Sequence, residues 1–318
     1  MQPSKPAPFR RTLATAAVAL GSLLLAGCAG DDLDSGGDSG DSADKGSVTI
    51  SGQSFPEATL VAEMYDQLLT DAGYTTDVKL VDARDAYMAT FPDSIDVVPE
   101  YVGGIVNFLN ARENGADAEP LTAGDGSELA DEGADLLESA GISLLDLSEA
   151  TDTNAFFVTE EYAEENDVST LSDLEGKSLK LAAAPDCEGR LDCEGGLSDE
   201  YGIDITKVLP LGYASNQTYQ AVLDGEAELG ETSTTDGTLE SQGLVVLEDD
   251  QQIQPAQNLV PAVSTAFLDD NPDVADVLNP LMDALTTENL TELNGRVAVD
   301  REKPEDVARS FLEDEGLL

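Results

Sequence analysis

The chain has 318 residues, 65 acids against 15 bases, a net charge of −50, and neither histidine nor tryptophan. Its length supports a sizeable core and favours two domains over one. Such acidity repels nucleic acid and anionic lipid, and the lack of histidine excludes Ser-His-Asp and Cys-His catalysis along with the usual zinc sites.

Lys5, Arg10 and Arg11 precede an apolar run from Leu13 to Ala26, which has the length of a signal h-region and is too short to span a membrane. The run closes on Leu25-Ala26-Gly27-Cys28, small residues before a lone cysteine, and so resembles a lipobox. Cleavage of residues 1–27 and lipid on the Cys28 thiol are expected, with more than one acyl chain because a single chain anchors weakly. Arg10-Arg11 also admits a twin-arginine reading, on a weak flanking match. Residues 28–46 hold Asp, Gly and Ser with almost nothing apolar and read as an acidic flexible tether. The tether has no regular calcium-loop spacing.

Val48 to Ile50 is a short strand. Ser54 with Glu57 three residues on has the form of a capping box, and Pro56 suits a first helical turn. Leu60, Val61, Met64, Tyr65, Leu68 and Leu69 repeat at three and four, so a helix with one apolar face runs to Gly73, before a strand at Val78 to Val81. This β-α-β unit carries no Gly-rich phosphate loop. Ile95 to Val98 is an apolar strand that Pro99 is expected to end, and Gly103-Gly104 would let backbone come close to a ligand as a helix begins. One helix around Leu129, Leu136 and Leu137 feeds a strand from Ile142 to Leu147. Polar residues 151–154 then lead into a buried strand, followed by a helix at 160–166, a short turn at 171–177 and a strand at 178–182. Strand 208–211, a helix at 219–224 and strand 244–247 come next, and helices at 272–285 and 304–312 close the chain. Alternating strands and helices predict mainly parallel sheets. The terminal helices dock most economically on the N-terminal sheet, which requires two crossings between lobes.

No G-x-S-x-G or P-loop is present, and among 65 acids no carboxylate pair stands out for glycoside hydrolysis. An exported hydrolase and an adhesive lipoprotein nevertheless stay open as alternatives. Cys187 and Cys193, six apart in C-E-G-R-L-D-C, fit a disulfide in an oxidising compartment once Cys28 carries lipid, with two reduced thiols as the other reading. The bridge would shape its loop and hold Arg190.

Seven pieces in order resemble the osmoprotectant-binding proteins of ABC importers, the glycine betaine, carnitine and choline class. They are S-G-Q-S-F-P-E-A from Ser51, D-V-V-P-E-Y-V-G-G from Asp96, L-S-D-L-E-G-K from Leu171, Y-Q-A-V-L-D-G-E from Tyr219, T-T-D-G from Thr234, G-L-V-V-L-E-D-D from Gly243 and P-E-D-V-A-R-S-F-L from Pro304. The resemblance implies an α/β, two-lobed type II periplasmic-binding-protein fold with a hinge and an inter-lobe ligand cleft. One lobe would hold 47–151 and 237–318, the other 152–236. It implies ligand contacts at Tyr101, Gln53, Gly104, Asn154, Arg190, Tyr219, Ser233 and Asp236. Tyr101 matches the tyrosine of the P-E-Y turn and Tyr219 the aromatic before Q-A. Gly104 stands where many members have threonine, Gln53 where they have lysine, and Asn154 about where a cage tyrosine would be. Tyr213 is read as packing. A quaternary ammonium donates no N–H, so aromatic faces hold it, while Arg or N–H groups take a carboxylate. The implied protein is a lipid-anchored, monomeric receptor on the extracytoplasmic face. It would pass a small quaternary-ammonium, zwitterionic or other polar solute to permease and ATPase subunits, with no catalytic residue, metal, cofactor or nucleic acid.

Overall fold

The computed structural model describes residues 45–115, 118–122 and 125–318. The expected signal segment, the lipid-bearing Cys28 and nearly all of the tether lie outside the described residues. No helix among the described residues is long and apolar enough to cross a membrane.

The first lobe begins with β1 (Ser47–Gln53), α1 (Pro56–Asp71), β2 (Thr75–Val81), α2 (Arg84–Met88) and β3 (Val97–Tyr101). It continues through α3 (Val102–Asn114), α4 (Gly126–Glu132), α5 (Ala134–Ala140) and β4 (Ile142–Leu144). The second lobe holds β5 (Asn154–Thr159), α6 (Glu160–Asn166), β6 (Ser178–Ala183), α7 (Glu194–Asp199), β7 (Asp204–Pro210), α8 (Asn216–Leu223), β8 (Leu229–Ser233) and β9 (Leu244–Leu247). The chain then returns with β10 (Leu259–Ser264), α9 (Thr265–Asp270), α10 (Asp273–Ala284), α11 (Thr287–Ala298) and α12 (Pro304–Asp314).

The strand orders are β2-β1-β3-β10-β4 and β7-β6-β8-β5-β9. Successive residues of a strand face opposite sides, so Val97 enters one core and Val98 the other, as Phe156 and Phe157 do in the second sheet. The apolar face of α1 packs with Leu278, Leu281 and Met282 of α10 and Val307 and Leu312 of α12, all fully buried. Each such Leu or Met contributes about 1.5–3 kcal/mol of transfer free energy. The terminal helices therefore dock on the N-terminal sheet, and the two crossings follow.

Both sheets are mixed, where alternation of strands and helices predicted mainly parallel ones. β1 runs parallel to β2 and β3, and β6 parallel to β7 and β8, while β10 and β5 are antiparallel to both of their neighbours. The antiparallel strand in each sheet is the one that has just arrived from the other lobe. Residues 145–153 carry the chain out and 248–258 bring it back. The two crossings touch, since Thr151 bridges Asn258 and the Asp152 N–H donates to the Gln257 carbonyl at 3.3 Å.

The expected return at 237 is corrected by β9, which pairs with β5 in the second sheet. The 234–237 turn touches the first lobe without joining it. Asn294 Nδ2 donates to the Thr235 carbonyl at 3.0 Å, and Gly237 lies against α11. A Cβ on Gly237 would overlap Gly295 N and Thr291 O, both of them backbone. Gly237→Ala is expected to cost about 1–3 kcal/mol through overpacking. A lower melting temperature checks it, and an unchanged one would show that the contact yields without strain.

Four further expectations change. The capping box does not form, because Phe55 is the N-cap and makes no side-chain cap, while Ser54 Oγ donates to Asp82. Pro99 lies inside β3 instead of ending it. It sits opposite Pro261 of β10, so neither proline is asked for an N–H there, and its ring packs 3.5 Å from the position of a Cβ on Gly52. The single helix expected around Leu129 is two, broken at Gly133, where a Cβ would come within 2.7 Å of both Val106 methyls. The glycine pair at the start of α3 admits protein, since a Cβ on Gly103 would strike the Ala256 carbonyl and one on Gly104 the Arg84 guanidinium.

Candidate functional site

In each sheet the chain order reverses beside one parallel strand, between β1 and β3 and between β6 and β8. A crevice opens at such a point outside the carboxyl ends of the strands. From the first sheet it receives Gln53 at the end of β1, Phe55 and Glu57 at the start of α1, and Tyr101 at the end of β3. From the second it receives Ser233 at the end of β8, the 234–236 turn and the loop after β6.

Side chains from several elements meet there. The Tyr101 hydroxyl donates to Glu57 Oε1, and Asn294 Nδ2 of α11 donates to Glu57 Oε2 at 2.5 Å. The Tyr101 ring stacks on Phe55, with centroids 6.4 Å apart and planes 23° from parallel. Thr235 approaches both Glu57 and Asp152, and Ser233 approaches Asp152. Asp152 lies on the outgoing crossing, and its Oδ1 is buried with no hydrogen-bond partner. Tyr213 faces Asp152, Glu231 and Ser233, and 44% of its surface stays exposed.

Two carboxylates in a dry place disfavour each other's charge. Burial raises the Glu57 pKa, opposed by bonds from Tyr101, Thr235 and Asn294. Burial, then the charge of Glu57, pushes Asp152 up to about 7, against hydroxyls of Thr235 and Ser233 and with Asp236 adding to the rise. Burial, then Glu57, raises Tyr101 well above the usual tyrosine range.

Five of the other expected contacts are engaged with protein. The Arg190 guanidinium grips Asp192 with Nε at 2.9 Å and Nη2 at 2.6 Å, and Nη1 reaches Asp186 at 3.3 Å. Asn154 Nδ2 donates to the same Asp192 at 3.0 Å. A Cys187–Cys193 disulfide closes this loop, with Cα atoms 5.3 Å apart. Behind it Glu231, fully buried, accepts from the Ala184 N–H at 2.6 Å, and burial raises its pKa. The Tyr219 hydroxyl donates to Asp236 at 2.6 Å, and Asp236 also accepts from Thr232 Oγ1 and from Thr238 N and Oγ1, which ties up the turn. The Gly104 N–H donates to Gln257 Oε1 at 3.1 Å. Gln53 is half-buried and makes no side-chain hydrogen bond among the described residues. Tyr101 and Ser233 thus share one cluster, Asn154 and Arg190 a second, and Tyr219 and Asp236 a third.

Sequence reasoning missed Phe55, Glu57, Asp152, Tyr213 and Asn294 as site residues. Tyr213, read from the sequence as packing, lies half-exposed beside Asp152. A separate open groove of about 1140 Å³ lies between α11 and the 234–246 segment, and no aromatic side chain lines it.

Two lobes joined by adjacent crossings, with aromatic and polar side chains meeting between two strand-order reversals, define a two-lobed solute-binding protein. The family model for the substrate binding domain of ABC-type glycine betaine transport systems matches residues 46–314, and the chain belongs to that family. It is 27% identical to a glycine-betaine-binding protein of Pseudomonas aeruginosa over 85% of this chain and 88% of the relative. To the glycine betaine-binding protein YehZ of Escherichia coli it is 26% identical over 85% of this chain and 90% of the relative. A solved apo structure of YehZ superposes with a TM-score of 0.71 at 24% identity, covering 85% of this chain and 99% of that one. That likeness bears on the fold, which is the two-lobed binding-protein fold.

Proposed function

We propose that the chain is the extracytoplasmic solute-capturing component of an ABC importer. It takes a small quaternary-ammonium or zwitterionic osmoprotectant between its lobes and delivers it to permease and ATPase subunits. The observation that carries this is the meeting of Tyr101, Glu57, Asn294 and Thr235 at the strand-order reversals, with the Tyr101 and Phe55 rings alongside. Aromatic faces beside buried carboxylates are what a methylated ammonium needs, because it is held by charge and ring faces without an N–H bond. Of the expected contacts, Tyr101, Ser233 and Gln53 are assigned to touch the solute, and Tyr213 joins them. Arg190, Asn154, Tyr219 and Asp236 shape the second-lobe wall, and Gly104 makes room for Arg84. Lipid on Cys28 and the tether would keep a monomeric receptor near its permease. Its relatives are binding proteins, and the carboxylates here are assigned to ligand capture without covalent chemistry.

A thermal-shift panel of choline, glycine betaine, carnitine, proline betaine and ectoine tests this. A true ligand at about a hundred times its Kd adds about 2.7 kcal/mol to the folded state. A rise of several degrees with at least one solute is the expected outcome, and no rise with any of them would sink the proposal.

A further inference from the structure

We infer that this site favours a solute of net positive charge, a quaternary ammonium with an uncharged tail, over a zwitterion of similar size. The inference rests on the proposed function of the site and adds the charge of its ligand. Three acids lie near the aromatic faces: Glu57 from α1, 4% exposed, Asp152 from the outgoing crossing, and Glu231 from β8, which faces Tyr213 and also feels the charge of Arg190. The groups that face Asp152 are Glu57, Asp236, the hydroxyls of Ser233 and Thr235, Tyr213 and Tyr101. None of them is a base. Glu57 is met by Tyr101, Thr235, Asn294 and Asp152, again with no base.

Two arginines come near, and both are taken. Arg84 donates Nε and Nη2 to Glu100 at 2.8 and 3.0 Å, and Arg190 is held by Asp192 and Asp186. Among the described residues a ligand carboxylate would find no unpaired cation at the cluster to receive it and would stand against the acids already there. A trimethylammonium group supplies the missing counter-charge, and the rings of Tyr101, Phe55 and Tyr213 offer it the faces it needs. Asp152 Oδ1, buried without a partner, is the acceptor such a cation would neutralise.

The preference carries a pH signature. With its carboxyl raised to about 7, Asp152 holds a proton in acid and releases it as pH rises, so the cation meets an ionised partner only at higher pH. Binding of a cation then expels a proton, and its affinity climbs by up to about tenfold per pH unit below the titration. A zwitterion, whose charges oppose each other in the site, shows a flatter profile.

Calorimetric titration of the purified protein with choline chloride and with glycine betaine, at about pH 8 and about pH 5.5, tests the inference. Repeating each at about pH 7 in two buffers of different ionisation enthalpy counts the protons released. The expected result is choline tighter than betaine by roughly tenfold at the higher pH, losing roughly tenfold or more at the lower pH, with proton release on choline binding. Asp152→Asn should weaken choline about tenfold, flatten its pH profile and narrow the gap between choline and betaine. Betaine binding as tightly as choline at the higher pH, or choline binding with no pH dependence, overturns the charge preference and leaves the receptor reading standing. Binding of neither solute nor any other of the panel overturns both. The wild-type pH series decides the question even where Asp152→Asn does not fold.

Discussion

Glu100→Ala lowers the melting temperature by roughly 10 °C, the largest stability loss expected from any single change at the first-lobe switch point. Glu100 lies on β3, 1% exposed, and gathers four donors: Arg84 Nε and Nη2, the Tyr87 hydroxyl and the Tyr101 N–H. Truncating it leaves the Arg84 guanidinium without its bidentate partner, Asp85 being the other acid that acts on it, which costs about 3–5 kcal/mol, and strands two further donors. For a chain of this size each kcal/mol corresponds to about 2–4 °C. Glu100→Gln, which keeps acceptor capacity but not charge, should fall between. Replacing Arg84 and Glu100 together by apolar residues of similar volume should lose less than Glu100→Ala alone, because no charge is then left unpaired. Thermal melts of the four proteins check the series. A Glu100→Ala melt within a couple of degrees of wild type would show that water or a shifted side chain satisfies Arg84.

What the residues disclosed on their own depended on how local the cause was. The face of α1 was legible because six apolar side chains repeat at three and four, and Leu244 to Leu247 was legible because a short apolar run lies between turns. β10 was not, because Pro261 looks like a strand breaker until Pro99 is seen opposite it and removes the need for a donor. α11 was missed because its sequence is mostly polar, with Leu290 and Leu293 as its only buried residues. The site behaves likewise. Family motifs pointed to Tyr101 and Ser233, whereas Ser54-x-x-Glu57 has the form of a local cap and hides that Glu57 binds partners 44 and 237 residues away. Asp152 was invisible among 65 acids, since only the fold shows which one is enclosed without a base. Gly104 read as space for a ligand, and the chain fills that space with Arg84.

Tyr101→Ala is expected to weaken binding of the best solute at least tenfold, about 1.4 kcal/mol. The substitution removes an aromatic face, the stack on Phe55 and the hydroxyl that donates to Glu57. Tyr101→Phe separates these losses, because it keeps the ring and deletes only the donor. The hydrogen bond from Tyr101 lowers the Glu57 pKa against the rise caused by burial, so its loss lets Glu57 hold its proton to higher pH. While Glu57 is still partly protonated, the Phe variant therefore presents less negative charge to a cation and binds it more weakly. As pH rises and Glu57 ionises, that deficit shrinks. The Ala variant keeps its deficit at every pH, since no ionisation restores a missing ring. Titrations of wild type, Phe and Ala variants with one cationic solute across about pH 6 to 9 distinguish the two contributions. Parallel profiles for Phe and Ala would remove Glu57 from the recognition, and an Ala variant that binds like wild type would make Tyr101 a packed strand end with no hold on the ligand.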